Sequence, residues 1–342
     1  MATIYDIARA IGVSQTTVAN ALKGKGNISE ATRERILQYA KEVGYRPNAL
    51  ARSLKQRKTF TIGFILPTIA NPFYPEIAEE IERIVGQQNY QVLLCNTHCD
   101  PKLGLLHLER LESRWVDGII VMGISMDVAD VQARFVQGLP TVLCDWQENE
   151  SPEGVPQVSI DFYQAGVLAA QHLLDLGHRQ LAIIVDEPLQ TLRLEGFRAT
   201  LQMAGISLSP AMIQRGDSTL DSGYHAAKRL LMREPRPTAI FAANDWMAIG
   251  AMRATHELGL HIPRDLSVIG LDDIVVAAHY QPPLTTIAIP KQHLARAATE
   301  LLLLQIEGNR ELPPSLMVPP SLLVRQSTTA LRLVEAPGAE LA

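Results

Sequence analysis

The spacing of apolar positions changes character near residue 60. Before it, apolar residues recur at helical intervals in three short stretches. Ile4, Ile7, Ala8 and Ile11 make the first stripe, opened by Thr3 with Asp6 three residues on, the pattern of a capping box. Gly12 ends that stretch and Ser14 opens the second, whose inner face is Val18, Ala21 and Leu22. Ser29 caps a third, with Ile36, Leu37, Ala40 and Val43 inward and Gly44 as its stop. From Phe60 onward, short apolar runs alternate with amphipathic stretches. The runs at 61–67, 90–95, 118–122, 141–144, 157–160, 180–185, 239–242 and 266–270 read as strands, and 75–87, 103–114 and 192–205 as helices. Alternation of this kind predicts parallel sheets with right-handed crossovers. About ten strands are too many for one sheet of ordinary width, so an α/β body of two doubly wound lobes is expected.

Charge divides the chain at the same place. Residues 1–58 hold eleven Lys/Arg and four Asp/Glu, a net of +7, which leaves −12 for the rest of a chain whose total is −5. A basic head on an acidic body points to a nucleic-acid module joined to something else. At 342 residues, 47% apolar and 20% charged, the chain is globular in composition and long enough for two or three units. Three cysteines, Cys95, Cys99 and Cys144, are too few for a disulfide framework. The opening Met-Ala-Thr-Ile-Tyr-Asp lacks the apolar core of a signal peptide, and the apolar runs are strand-sized, so a cytoplasmic protein is expected.

The turn Ile11-Gly12-Val13-Ser14 between two short helices is a helix-turn-helix arrangement. It presents the second helix by its N-terminal end, the end that enters the major groove in such modules. Ser14, Gln15, Thr16, Thr17 and Asn20 stand there. Asn and Gln can pair bidentately with adenine, and hydroxyls serve phosphates or base edges; the same residues also serve as ordinary caps and surface groups. Beyond it, Pro47 breaks the helical pattern, Asn48 can cap, and 49–55 form a helix too short to hold alone, with Leu50 and Leu54 on one face.

In the body, polar and aromatic residues follow the strands: Asn71-Pro-Phe-Tyr74, Asp145-Trp146, Asp161-Phe162, Asn244-Asp245-Trp246 and Leu271-Asp272-Asp273, with Arg193 early in its helix. Ligands of open α/β sheets bind beyond such strand ends, and carboxylates, guanidinium and rings together suit a small polar ligand, although each Asn or Asp there could be only a cap. No Gly-rich phosphate loop, Gly-x-Ser-x-Gly or His-Glu-x-x-His occurs. Cys95-x-x-His98-Cys99 with Cys144 lacks the spacing of a structural zinc site, and buried or half-buried cysteines are expected instead. No cofactor, metal or enzymatic activity is expected. A transport-type binding protein is the competing class, and the basic head argues against it.

The segments Thr3-Ile-Tyr-Asp-Ile-Ala-Arg-Ala-Ile-Gly-Val-Ser and Gly44-Tyr-Arg-Pro-Asn-Ala-Leu-Ala-Arg-Ser-Leu resemble the lactose/galactose repressor (LacI/GalR) family of bacterial transcription regulators. The body carries further matching stretches, among them Ile62-Gly-Phe-Ile-Leu-Pro, Gly177-His-Arg, Ala243-Asn-Asp and Pro283-Leu-Thr-Thr-Ile. The resemblance implies a helix-turn-helix head at 1–46, a linker with a hinge helix at 47–58 and a periplasmic-binding-protein-like core at 59–342. Within that core the N-lobe covers about 60–160 and 290–320, and the C-lobe about 161–289 and 321–332. It implies DNA contacts at Thr3, Ser14, Gln15, Thr16, Thr17, Asn20, Asn48, Ala51 and Leu54, with Leu54 as a minor-groove wedge. Effector contacts are implied at Phe73, Tyr74, Asp145, Asp161, Arg193, Asn244 and Asp272. Phe162 stands where many members have asparagine, and Met122 where some have a polar residue. The function implied is a repressor whose affinity for palindromic operator DNA is controlled by a sugar or sugar acid. The expected assembly is a homodimer; a tetramer is the alternative, against which the last eleven residues, lacking a leucine heptad, argue.

Overall fold

The computed structural model describes residues 2–45, 58–123, 126–145, 152–186, 190–309, 313 and 315–331. Asn48, Ala51 and Leu54 of the expected hinge helix, Trp146 and the C-terminal segment 332–342 lie outside them. The chain forms two compact units, residues 1–59 and 60–342.

The first unit is three helices, α1 (Ile4–Ile11), α2 (Gln15–Leu22) and α3 (Glu30–Glu42). Each begins on the cap expected. The Thr3 and Asp6 side chains satisfy one another's backbone N–H, while Ser14 accepts from Thr17 N–H at 3.0 Å and Ser29 from Thr32 N–H at 3.3 Å. Gly12 makes the tight turn in left-handed backbone, φ 80°, where a side chain would be strained. Ile7, Ala8, Val18, Ala21, Ile36 and Ala40 are buried between the helices.

The second unit holds two six-stranded sheets. Lobe 1 contains β1 (Thr61–Leu66), β2 (Gln91–Asn96), β3 (Gly118–Met122), β4 (Thr141–Cys144), β5 (Gln157–Ile160) and β11 (Ser315–Val318), in the order β11-β5-β4-β3-β1-β2. All its pairings are parallel. Lobe 2 contains β6 (Leu181–Val185), β7 (Ile213–Arg215), β8 (Ala239–Ala242), β9 (Ser267–Asp272), β10 (Thr285–Ala288) and β12 (Ser321–Leu323), in the order β12-β10-β9-β8-β6-β7. Only its β10–β12 pairing is antiparallel. Strands buried on both faces explain why β1, β3 and β6 are unbroken apolar runs. The chain passes between lobes three times: after β5, after β10, and between β11 and β12.

The helices of lobe 1 include α4 (Phe73–Gly86), α5 (Pro101–Ser113) and α6 (Val128–Val136). Lobe 2 carries α7 (Phe162–Asp175), α8 (Thr191–Met203), α9 (Leu220–Leu231), α10 (Asp245–Glu257) and the short α11 (Val275–His279). Then α12 (Lys291–Ile306) returns to pack along α4, β3 and β4. The leucines 301–304 belong to this 16-residue helix, with Leu301, Leu302 and Leu303 buried. Helix α4 starts two residues before the sequence suggests, because Asn71 Oδ1 accepts from Phe73 N–H at 3.1 Å and sets the first turn early. Twelve strands are present among the described residues; β7, β10, β11 and β12 escaped the pattern of apolar runs.

In lobe 2 two helix pairs cross at glycines. A Cβ on Gly166 of α7 would lie 2.1 Å from the Arg193 carbonyl oxygen of α8, and one on Gly196 would lie 2.0 Å from that of Tyr163. Gly223 of α9 and Gly250 of α10 meet in the same way, a Cβ on Gly250 falling 2.0 Å from the Leu220 oxygen. Only hydrogen fits at these crossings. Phe197 and Phe241, both fully buried with centroids 5.4 Å apart, pack α8 against β8.

Candidate functional site

In the first unit, Gln15 and Thr16 are exposed at the start of α2, and among the described residues their side chains have no hydrogen-bond partner, as groove contacts require. Ser14 and Thr17 are engaged with each other, hydroxyl to hydroxyl at 2.8 Å, so they act first as the cap that fixes where α2 begins. Asn20 is half-buried and packs against Gly26, and its carbonyl holds the turn by accepting from Lys23 and Lys25. Thr3 is likewise exposed but occupied by the capping box. Arg9 lies over the exposed Tyr5 ring at 4.8 Å.

In the second unit a cavity of about 410 Å³ opens where the strand order of each sheet reverses, between β1 and β3 in lobe 1 and between β6 and β8 in lobe 2. Lobe 1 supplies Pro67 and Thr68 after β1, Asn71, Phe73 and Tyr74 at the start of α4, His98 and Cys99 beyond β2, Gly123 after β3 and Asp145 after β4. Lobe 2 supplies Asp186 after β6, Gln190 and Arg193 around the start of α8, the stretch 217–219, Asn244 and Trp246 at the start of α10, and Asp272 ending β9. Six of the seven residues expected to touch an effector therefore share one cavity. The seventh, Asp161, does not line it: its carboxylate accepts from Gln164 N–H at 2.8 Å and caps α7. Its neighbour Phe162 serves the cavity from behind, its ring 3.7 Å under the Arg193 guanidinium.

The chemistry is acid-rich. Arg193 is 5% exposed and shares the lining with four aspartates, 145, 186, 217 and 272, of which 145, 186 and 272 act on its charge. Burial lowers the pKa of its guanidinium while Asp272 and Asp145 oppose that shift. Burial likewise lifts Asp272 well above the usual carboxylate range, aided by Asp245 and opposed by Arg193 and Lys291. Asp186 is raised by burial too, and it closes a ring of hydrogen bonds with Gln190 and Ser218, each between 2.9 and 3.1 Å. The Tyr74 hydroxyl is pushed far up by burial and by the Asp145 and Asp272 charges, so it stays a neutral donor and acceptor. Asn244 spends its side-chain oxygen on Met247 N–H at 2.7 Å, capping α10.

Five non-glycine residues of the lining, His98, Cys99, Asp145, Ser218 and Asp272, have positive φ. Such backbone is costly for L-residues and gathers at ligand sites. Cys99, expected buried or half-buried, is instead exposed at this cavity, because the left-handed turn at 98–99 swings it off the end of β2. Behind the lining sits Asp245, fully buried, accepting from Thr286 Oγ1 at 2.6 Å and Ile274 N–H at 3.0 Å. Its carboxyl is raised to about 7, chiefly by burial. Gly270 makes room for it, since a Cβ there would lie 2.1 Å from the carboxylate oxygen. Among the described residues no group of three or more His, Cys, Asp or Glu is placed to hold a metal ion, and no helix is long and apolar enough to cross a membrane.

A helix-turn-helix unit and a two-lobed body with its cavity at the sheet switch points define a ligand-binding transcription regulator. Residues 3–48 match the family model "Bacterial regulatory proteins, lacI family" and residues 170–328 a periplasmic binding protein-like domain; the chain belongs to the LacI family, whose members regulate transcription and are not enzymes. It is 37% identical over 340 residues to the HTH-type transcriptional repressor PurR of Haemophilus influenzae (strain PittEE), covering 97% of this chain and all of that protein. Among solved structures, the lac repressor dimer bound to operator and the anti-inducer ONPF is similar with a TM-score of 0.85 at 29% identity, over 96% of this chain and 99% of that one. The complex of the regulator CelR with cellobiose is similar with a TM-score of 0.71 at 30% identity, over 96% of this chain and all of the other.

Proposed function

We propose that the protein is a homodimeric repressor of palindromic operators, released or engaged by a small polar effector bound between lobes 1 and 2. The observation that carries this is the buried Arg193 guanidinium, stacked on Phe162 and facing Asp145, Asp272 and the Tyr74 hydroxyl across the cavity. Carboxylates and guanidinium bind hydroxyl groups with fixed geometry, and Phe73, Tyr74 and Trp246 can cover an apolar ring face. One guanidinium among four aspartates favours a neutral, hydroxyl-rich ligand over an anion; a sugar is the first candidate and a sugar acid the second. Asp161 enters this reading as a cap and not as a contact. In the head, Gln15 and Thr16 are assigned to base edges, Ser14, Thr17 and Thr3 to phosphates as well as caps, and Asn20 to the far side of the site. Asn48, Ala51 and Leu54 are assigned to the minor groove by resemblance.

The effector acts by linkage: a ligand that binds one lobe arrangement better changes DNA affinity by the factor by which DNA changes its own. The test is fluorescence anisotropy on palindromes upstream of the protein's own gene, at two salt concentrations, with a panel of neutral sugars including cellobiose, sugar acids and purine bases. Binding that weakens steeply with salt and changes with one ligand class is the expected result. Arg193→Ala should abolish the ligand response and leave operator binding intact; loss of operator binding in that variant counts against the assignment. Leu54→Ala should weaken specific binding more than non-specific binding.

A further inference from the structure

Two side chains of lobe 1 grip a turn of lobe 2. Glu76 lies in the first turn of α4, three residues from the cavity-lining Phe73, and Lys291 opens α12, which packs along α4. The two meet at 3.2 Å, their side chains 21% and 12% exposed. Each also bonds outside its own lobe. Glu76 Oε1 accepts from Val275 N–H at 3.0 Å, and Lys291 Nζ donates to the Asp272 carbonyl oxygen at 2.8 Å and to that of Asp273. Asp272 and Asp273 have φ of 117° and 56°, backbone that aspartate does not hold without help. Lobe 2 grips the same turn from its own side, Asp245 holding Ile274 N–H and Arg325 holding the Asp273 carboxylate at 2.5 Å.

We propose that Glu76 and Lys291 are positioning residues that latch the lobes: they clamp the 272–275 turn, and with it the ligand-facing Asp272, only while the lobes are together. A mostly buried ammonium carries three N–H donors; Glu76 answers it within lobe 1 and the carbonyls of lobe 2 complete its shell, so opening the lobes must replace those carbonyls with water. Helix α4 then carries the Phe73 and Tyr74 wall and the latch on one rigid rod, and moving either moves both. The consequence for ligand release rests on the effector reading; the latch itself does not.

The experiment uses the full chain without ligand, in wild type, Lys291→Met and Glu76→Gln. Amide hydrogen exchange reads the 272–275 turn. Double electron–electron resonance reads the lobes, between labels at the exposed positions Val136 and Met203 in a chain with its three cysteines replaced by serine, diluted with unlabelled chain. Lys291→Met is expected to speed exchange in the turn about tenfold and to add a second distance population, with β8 amides unchanged. Glu76→Gln, whose amide oxygen still accepts from Val275, should do the same to a smaller extent. Faster exchange with an unchanged distance distribution would make the pair a local brace and overturn the latch, as would no change in either variant. If Lys291→Met fails to fold, Glu76→Gln decides alone. A ligand panel without a hit would sink the effector reading and leave this result standing.

Discussion

Lobe 1 and lobe 2 wind their strands in the same order and give the cavity opposite things. Lobe 1 brings most of the wall: Pro67, Phe73, Tyr74 and Gly123, with Asp145 as its one aspartate in the lining. Lobe 2 brings Arg193, three aspartates and two amides. Their packing differs to match. In lobe 2 the helices that carry Arg193 and Asn244 lie backbone to backbone against their neighbours at Gly166/Gly196 and Gly223/Gly250, whereas Gly86 of α4 in lobe 1 has open space around it. The difference teaches that one topology can serve two tasks. A charged floor must not relax, because a buried charge that loses its partner is expensive, and close glycine crossings fix the helix ends that aim it.

The comparison breaks most visibly at the crossings. Gly250→Val should cost the second unit more than ~4 kcal/mol, because backbone and not a pliable side chain stands in the way, while Gly86→Ala should be neutral or stabilise by up to ~1 kcal/mol. Thermal melts of the two variants check this; equal shifts would mean that the lobes are packed alike. In binding, Arg193→Lys keeps the charge but loses the planar fork and the stack on Phe162, so affinity for the ligand found by the panel should fall at least ~10-fold. Phe73→Leu in the wall should cost less than ~5-fold by the same titration calorimetry.

Proton linkage separates the lobes further. Asp245 is raised to about 7 in the folded lobe 2, so its stabilising contribution is present in full only below the ordinary carboxylate value of about 4 and is lost as pH rises from there through about 7. His172 and His178 are lowered by burial, which loses stability as pH falls below the ordinary histidine value of about 6.5. Asp245→Asn should therefore remove the fall in stability between about pH 4 and pH 7 and leave the histidine loss at acid pH, as melting temperature against pH from about 4 to 8 would show for variant minus wild type; a difference that does not change across that window refutes the assignment. The smallest effect belongs to Asp161→Ala, which should lower stability by ~1 kcal/mol through the lost cap and leave ligand affinity unchanged.

Much of this was written in local pattern. The three caps of the head and the turn at Gly12 needed no tertiary information, because capping is a contact over three residues. The fully buried strands were equally plain. By contrast, β7 and β12 are three-residue edge strands, and β11 is mostly exposed, so no apolar run announces them. Strand β10 hid for the opposite reason: Thr285 and Thr286 are fully buried and satisfied by Ser327, Thr328 and Asp245, partners far away in sequence. Asp186 follows the run at 180–185 just as Asp145 follows that at 141–144, so its place at a strand end is legible in the sequence. Gln190 and Ser218 had no such signal; they join the site only through loops.

The three crossings of the chain carry a consequence for anyone recombining such proteins. Lobe 2 is one long stretch, α7 through β10, plus a short return from β12 to residue 331 that is stitched back by Ser327, Thr328 and Thr329. Lobe 1 is interrupted by all of it. A gene fusion that exchanges sensors therefore needs two cuts for the long stretch and a third before Ser321, and a graft that omits the return leaves His172 and His178 facing an empty seam.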